Sequence, residues 1–167
     1  MSKKPKATTI DFHFGIDSII PSTQQAYHHG TFDGEVRKTE KEALMVFREK
    51  VNADIDNQLS HNDQFPTARE VFVFIIQYFA VESEYHRRDI DNMAKTILDV
   101  MKSRFYNDDS QVKTLLVSKK IEYRVPKNFA YVSIKELSST QDVDALKISG
   151  LERSVTMFQE LRSKGVL

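Results

Sequence analysis

The chain has 167 residues, of which 40% are hydrophobic and 29% are charged, a composition typical of one globular domain with a single core. It contains no cysteine, which excludes disulfides, zinc–thiolate sites and thiol nucleophiles. The formal net charge is zero, which neither supports nor excludes a nucleic-acid partner, because phosphate binding requires only a basic face. No signal peptide and no apolar run long enough to span a membrane are present, so a cytoplasmic protein without a membrane partner is expected.

The first part of the chain predicts a strand and a helix. Residues 1–9 are basic and polar, and are expected to form a flexible N-terminal segment. In the stretch IDFHFGI, residues 10–16, apolar and polar residues alternate with the period of a half-buried strand. After a long loop, Thr39 and Glu42 have the spacing of a capping box. Apolar residues then recur at helical steps, which predicts a helix over about 39–57.

The central and later parts predict three more strands and a second helix. The stretch REVFVFIIQYFAV, residues 69–81, is apolar almost without interruption and predicts a strand buried on both faces. Its aromatic residues are expected in the core: Phe72, Phe74, Tyr78 and Phe79. Further patterns predict a helix over about 90–105 and strands over 112–124 and 129–137.

The order β-α-β-α-β-β predicts an α/β (α+β) fold in which two helices pack on a mixed sheet, in one domain over residues 10–137. The remaining residues, 138–167, begin with a polar linker and end in a stretch with helical spacing of apolar residues. These apolar residues are Leu151, Val155, Phe158 and Leu161. They predict a C-terminal amphipathic helix, which can join a subunit interface or cover the sheet of its own subunit.

On a helical wheel of about 100° per residue, the second predicted helix separates into two halves. The apolar half consists of Ile90, Met93, Ala94, Ile97, Leu98, Met101 and Phe105. The polar half consists of Asp91, Asn92, Lys95, Asp99 and Lys102. Because the apolar half must face the sheet, the polar half is expected to point away from it.

The charges of this helix allow two interpretations. In the first, Lys95 forms ion pairs with Asp91 and Asp99 on a solvated face, each worth about 0.3–0.5 kcal/mol. In the second, Asp89, Asp91 and Asp109 form an all-oxygen site for Mg²⁺ or Mn²⁺, and the lysine stabilises charge during phosphodiester hydrolysis. The sequence leaves open whether Asp109, at the start of the next strand, comes near Asp91.

A longer pattern covers the same region. The stretch RDIDNMAKTILDVM, followed by NDDSQV, resembles the signature of the RusA family of Holliday junction resolvases. The matching residues are Arg88, Asp89, Asp91, Asn92, Lys95, Leu98, Asp99, Asp108, Asp109, Gln111 and Val112. The stretch IIPSTQQAY, residues 19–27, is similar to the family's Pro-Ser-x-Asn-x-x-Tyr loop, with Gln24 or Gln25 where Asn is usual. The resemblance covers about residues 10–137.

The resemblance implies a Mg²⁺-dependent, homodimeric endonuclease of DNA recombination and repair, with Mn²⁺ as an alternative ion. Such an enzyme resolves four-way junctions and other branched DNA by symmetric paired nicks. Because genes of this family are common on phages and prophages, a phage or prophage origin is expected. The alternative is a catalytically inactive DNA-structure-binding protein on the same fold. The enzyme is favoured, since the motif carboxylates and Lys95 are all present.

The resemblance also assigns roles to individual residues. The catalytic and metal-binding carboxylates are Asp89, Asp91 and Asp109, and the catalytic lysine is Lys95. The supporting residues are Asp99, Asp108 and Asn92, and Asp99 is expected to hold Lys95 in place. The residues expected to contact DNA are Arg87 and Arg88. The chain lacks the family's usual glycine in the helix-exit stretch KSRFYNDD, so a shifted position of the two aspartates that follow is expected.

Overall fold

The computed structural model describes residues 10–22, 34–137 and Ser163, with only the backbone described for 34–40. The expected N-terminal segment, most of the PSTQQAY loop and the predicted C-terminal helix lie outside these residues. The strands are β1 (Phe12–Ile16), β2 (Val71–Phe79), β3 (Val112–Ile121) and β4 (Phe129–Glu136). The helices are α1 (Gly34–Leu59), α2 (Glu82–His86) and α3 (Ile90–Met101), and a 3₁₀ turn (Asp109–Gln111) precedes β3.

The four strands form one mixed sheet in the order β1-β4-β2-β3. β4 is antiparallel to both β1 and β2, whereas β2 and β3 are parallel. Parallel neighbours need a crossover connection, which α2 and α3 supply. The predicted α+β fold with a mixed sheet is therefore confirmed, and α3 leads from the end of β2 back to the start of β3.

One face of the sheet carries the main core. The β2 residues on this face are fully buried, namely Val71, Val73, Ile75, Gln77 and Phe79. On the other face Phe72 is buried, but Phe74 and Tyr78 are only half-buried. The prediction that this strand is buried on both faces is therefore wrong for much of its length. The buried apolar residues of α3, with Val51 and Ile55 of α1, pack in the cluster on the first face.

The segment 18–22 is fixed between β2 and α3. The buried Gln77 amide accepts a hydrogen bond from a backbone N–H of this segment, at 2.9 Å. On the other side, the Thr96 hydroxyl of α3 donates to the Pro21 carbonyl at 2.7 Å. Asn92 of α3 is 6% exposed, so its predicted place on the solvent-facing half of the helix is wrong.

All three described helices differ from the sequence prediction, and α3 ends at Met101 rather than at about residue 105. α1 begins at Gly34 rather than at Thr39, so the Thr39–Glu42 spacing lies inside the helix and does not cap it. α2 was not predicted, because five residues are too few for an amphipathic period to show. It is stabilised by packing, and the Tyr85 ring meets the Phe79 ring edge-on at 5.8 Å. None of the helices in the described part of the chain is long and apolar enough to cross a membrane.

The exit from α3 uses a left-handed residue. Ser103 has a φ of 67°, in the region that glycine adopts without steric cost. Its N–H donates to the Tyr106 carbonyl at 2.7 Å, and the Arg104 N–H donates to the Met101 carbonyl at 3.1 Å. The chain therefore turns out of α3 with a serine in a glycine-like conformation, in the stretch where the family usually has glycine.

Replacing Ser103 by Gly is expected to stabilise the protein by roughly 0.5–1 kcal/mol, because glycine removes the left-handed penalty but gains entropy in the unfolded chain. The melting temperature should rise by about 1–4 °C. Ser103→Ala is the matched control, since alanine shortens the side chain and keeps the penalty. An equal rise in both variants would contradict backbone strain at this residue.

Candidate active site

The start of α3 presents carboxylates that do not serve as caps. Asp89 is the N-cap residue, but its side chain makes no capping hydrogen bond. Its backbone carbonyl accepts the first helical bond, from the Met93 N–H at 3.2 Å. Both Asp89 and Asp91 are exposed. Their charges therefore remain accessible at the positive end of the helix dipole.

A pocket of about 300 Å³ lies between α3 and β3. Its lining residues are Asp91, Ala94, Lys95, Leu98, Asp99, Asp109 and Leu115. The pocket thus brings Asp109, from the turn before β3, to the same depression as Asp91 and Lys95. Asp109 and Asp91 therefore lie at the same pocket, a point that the sequence left open. Asp89, one residue before the helix, is not among the lining residues in the described part of the chain.

Asp108 and Asp109, which follow α3, make different contacts. Asp108 caps the 3₁₀ turn, and its carboxylate accepts the Ser110 N–H at 2.9 Å. This hydrogen bond, with the charge of Lys102, lowers the pKa of the Asp108 carboxyl. Asp109 makes no such cap and lines the pocket, and the Lys102 ammonium lies 3.7 Å from its carboxylate. Of this pair, Asp109 is the one placed to bind a ligand.

Gln111 fixes the turn that carries Asp109. Its side-chain carbonyl accepts the backbone N–H groups of Asn107 at 2.8 Å and Asp108 at 2.9 Å. Its amide nitrogen donates to the carbonyls of Thr67 and Arg69, both at 2.9 Å. The first two bonds close the acidic turn, and the other two attach it to the segment that leads into β2. Only an amide side chain can accept on one atom and donate twice on the other.

The contacts of Asp99 differ from the expectation. Its carboxylate pairs with Arg48 of α1 at 2.8 Å, so the expected support of Lys95 by Asp99 is not formed. Among the described residues, no carboxylate forms an ion pair with Lys95, and the two helical ion pairs of the first interpretation are therefore absent. The exposed Lys95 ammonium is available to a phosphate in the pocket.

A buried tyrosine lies under the acidic residues. The Tyr106 hydroxyl donates to the Leu98 carbonyl at 3.0 Å. Burial raises the pKa of this hydroxyl far above its usual range, and the negative charges of Asp109 and Asp99 add to the rise. Tyr106 therefore stays protonated and serves as a hydrogen-bond donor beneath the pocket rather than as an acid or base.

Two arginines, Arg87 and Arg88, precede α3 in the chain. Arg87 is exposed, and Arg88 lines a second pocket of about 500 Å³ together with Lys50 of α1. The backbone here is held by Lys119 of β3, whose ammonium donates to the carbonyls of Arg88 at 2.7 Å and Tyr85 at 3.0 Å.

The donor set at the pocket suits a hard divalent ion. Among the described residues, no three acidic or histidine side chains come close enough together to hold a metal ion by themselves. Mg²⁺ usually takes only one or two protein carboxylates and completes its octahedron with water and substrate phosphate. Asp91 and Asp109, which line one pocket, meet that requirement with oxygen donors.

Sequence reasoning missed the residues that organise the acidic turn. Gln111 matched the motif without an assigned role, although Asp108 and Gln111 have the Asp-x-x-Gln spacing of a capping box, which is observed. Lys102 was assigned to the polar half of the helix without a partner. Its proximity to Asp109 depends on the turn at Ser103, which has no signature in the sequence.

Comparison with protein families identifies one match. The family model described as endodeoxyribonuclease RusA matches residues 18–134. This range contains every element from α1 to β3 and nearly all of β4, and it includes the whole pocket. A search of curated proteins finds no match for the chain.

Proposed function

The chain belongs to the RusA endodeoxyribonuclease family, whose members act on branched DNA junctions, and from that premise we propose that it is a divalent-metal-dependent junction resolvase. It would nick two strands of a four-way junction symmetrically. The observation that carries the proposal is the single pocket between α3 and β3, to which Asp91, Lys95 and Asp109 all contribute. Carboxylates and an unpaired cation in one depression fit phosphodiester hydrolysis better than a solvated helix face.

Asp91 and Asp109 are the proposed ligands of Mg²⁺ or Mn²⁺, and the exposed Asp89, directly before α3, is proposed as a third carboxylate. When bound, such an ion lowers the pKa of a coordinated water and neutralises charge on phosphate oxygens. Gln111 and Asp108 hold the turn of Asp109 in place through their hydrogen bonds. The Lys102 ammonium, 3.7 Å from Asp109, balances its charge before the ion arrives.

Lys95 is the proposed electrostatic catalyst. Its ammonium lines the pocket one helical turn from Asp91, on the face where a scissile phosphate would lie between the carboxylates. A cation that is not neutralised by a carboxylate can stabilise the charge that develops on the phosphate oxygens in the transition state. Arg87 and Arg88 would contact neighbouring phosphates and position the strand.

The proposed assembly is a homodimer. One site of this kind cuts one strand, and symmetric resolution requires two sites related by a twofold axis, which a dimer supplies. The net charge of the chain is zero, so DNA binding must depend on the local basic groups around the pocket rather than on the overall field. Light scattering of the protein with and without junction DNA measures the assembly directly.

The decisive experiment is cleavage of a labelled four-way junction and of a matched linear duplex with Mg²⁺, Mn²⁺ or EDTA. Paired symmetric nicks that occur only in the junction and only with metal are expected. Cleavage of both substrates would indicate a general endonuclease on this fold. Junction binding without cleavage under any condition would support the inactive DNA-structure-binding alternative.

Lys95→Gln is expected to lower the cleavage rate by about 10²–10³-fold, the usual cost of one preorganised electrostatic group. Junction affinity should change little, because at most one phosphate contact is lost. The measurement is single-turnover cleavage beside a binding titration. Lys41→Gln, which removes an exposed lysine of α1, is the matched control. Equal losses of binding and cleavage in Lys95→Gln would indicate a DNA-anchoring role instead.

A further inference from the structure

The second face of the sheet carries its own small apolar cluster. Phe72 and Leu137 are buried there, with exposed fractions of 6% and 5%, and Phe74 and Leu116 pack against them. We refer to these four residues as the second-face cluster. It is separate from the main core, in which the described helices are buried. Phe72 and Leu137 are thus nearly inaccessible on a face where no described helix packs.

Three residues of the second-face cluster, Phe72, Phe74 and Leu116, line a pocket of about 380 Å³. The other lining residues are Ile10, Tyr131, Ser133 and Lys135. The lining is mainly apolar, and Phe74 and Leu116 remain half-buried. A sheet face of this character is normally covered by another layer of the protein.

The residues that follow Leu137 in the chain are a candidate to cover this face. Leu137, the last residue of the described domain, belongs to the cluster, and its N–H donates to the Glu70 carbonyl at 2.8 Å beside β2. The apolar stripe of Leu151, Val155, Phe158 and Leu161 follows in the sequence. The connection from 137 to 151 can span at most about 50 Å, which far exceeds the roughly 20 Å along β2 from Phe72 to Tyr78.

We infer that residues 151–161 dock their apolar stripe on the second-face cluster of their own subunit. This segment lies beyond the matched residues 18–134, so the docking is a property of this chain and is independent of the proposed nuclease activity. A helix of this length is about 16 Å long and would fill the pocket between Phe74, Leu116 and Tyr131. It would complete a three-layer arrangement with the sheet in the middle.

Cysteine cross-linking tests the inference, because the chain has no cysteine of its own. The full-length double variant Leu116→Cys with Phe158→Cys places one thiol on the sheet and one on the stripe. Leu116→Cys with Glu160→Cys is the matched control, since Glu160 lies on the opposite side of the predicted helix from Phe158. After mild oxidation, non-reducing gels and mass spectrometry of proteolytic fragments distinguish links within a chain from links between chains.

Rapid formation of a link within one chain in the Phe158 pair, at least about tenfold faster than in the Glu160 pair, is the expected result. A link only between two chains would overturn the inference, because the face would then be covered by a second copy. Equal rates for the Phe158 and Glu160 pairs would also overturn it, because no defined face of the helix would then be docked.

A second variant avoids any change to the sheet. Phe158→Asp in the full chain is expected to lower the melting temperature by about 4–10 °C, because a charged side chain would replace a buried ring. Glu160→Ala should leave the melting temperature within about 2 °C. An unchanged melting temperature in Phe158→Asp would show that the stripe is not docked.

Discussion

Asp91→Asn is expected to reduce metal-dependent junction cleavage by at least about 100-fold, because it removes a proposed metal ligand from the pocket that Asp109 and Lys95 also line. Junction binding in the presence of EDTA should persist and even strengthen by about two- to fivefold at low salt, since one repulsion of phosphate is lost. Fold stability should change little, because Asp91 is exposed and has no ion-pair partner among the described residues. Cleavage and binding are measured on the same labelled junction.

Asp63→Asn is the matched control, because Asp63 is also exposed and lies outside the pocket in the loop after α1. It should cleave and bind as the wild type does. Loss of junction binding in Asp91→Asn would argue against a metal role and for a direct contact with DNA. Cleavage at the wild-type rate would exclude Asp91 from the chemistry.

Gln111→Glu is expected to lower the free energy of unfolding and to weaken metal-dependent cleavage. Glutamate keeps the acceptor for Asn107 and Asp108 but replaces the donor to Thr67 and Arg69 by an oxygen. Two carbonyls lose their partner and face a carboxylate, which should cost about 2–4 kcal/mol. For a chain of this size, the melting temperature should fall by about 4–12 °C.

The same substitution should weaken metal binding at Asp109, since groups that orient a ligand typically contribute about 10–100-fold in affinity or activity. The Mg²⁺ concentration for half-maximal cleavage is therefore expected to rise, measured at a temperature well below the melting point of the variant. Gln64→Glu introduces the same charge at an exposed position of the 60–68 loop and should change neither quantity. A lower melting temperature with an unchanged Mg²⁺ requirement would show that Gln111 stabilises the fold without positioning Asp109.

The elements with a strong repeating pattern were predictable. Apolar periodicity predicted the four strands and α3, and the structure confirms their succession along the chain. α2 is short and depends on the packing of Tyr85 against Phe79, which no local pattern reveals. Asn92 is buried although it lies on the polar half of the helical wheel, and the segment 18–22 contacts α3 from far away in the sequence. Such long-range contacts override the local pattern.

The site was predictable in residue identity and only partly in geometry. The motif selected Asp89, Asp91, Lys95 and Asp109, and all of these except Asp89 line one pocket. The partners of the charges could not be deduced from helical spacing, because α1 brings Arg48 to Asp99 and so removes Asp99 from Lys95. Tertiary packing, rather than the i,i+4 spacing along the helix, determines which ion pairs form.

The pairing of β1 with β4 has a consequence for how this chain could be rearranged. The Asp11 N–H donates to the Ile134 carbonyl at 3.0 Å, so the two ends of the described domain lie side by side. The pocket residues all fall in one uninterrupted stretch before the β3–β4 turn, where Tyr123 is 72% exposed. Circular permutation that joins the adjacent ends and opens this turn would leave the crossover intact. All residues that line the pocket would then stay together in one continuous segment of the permuted chain.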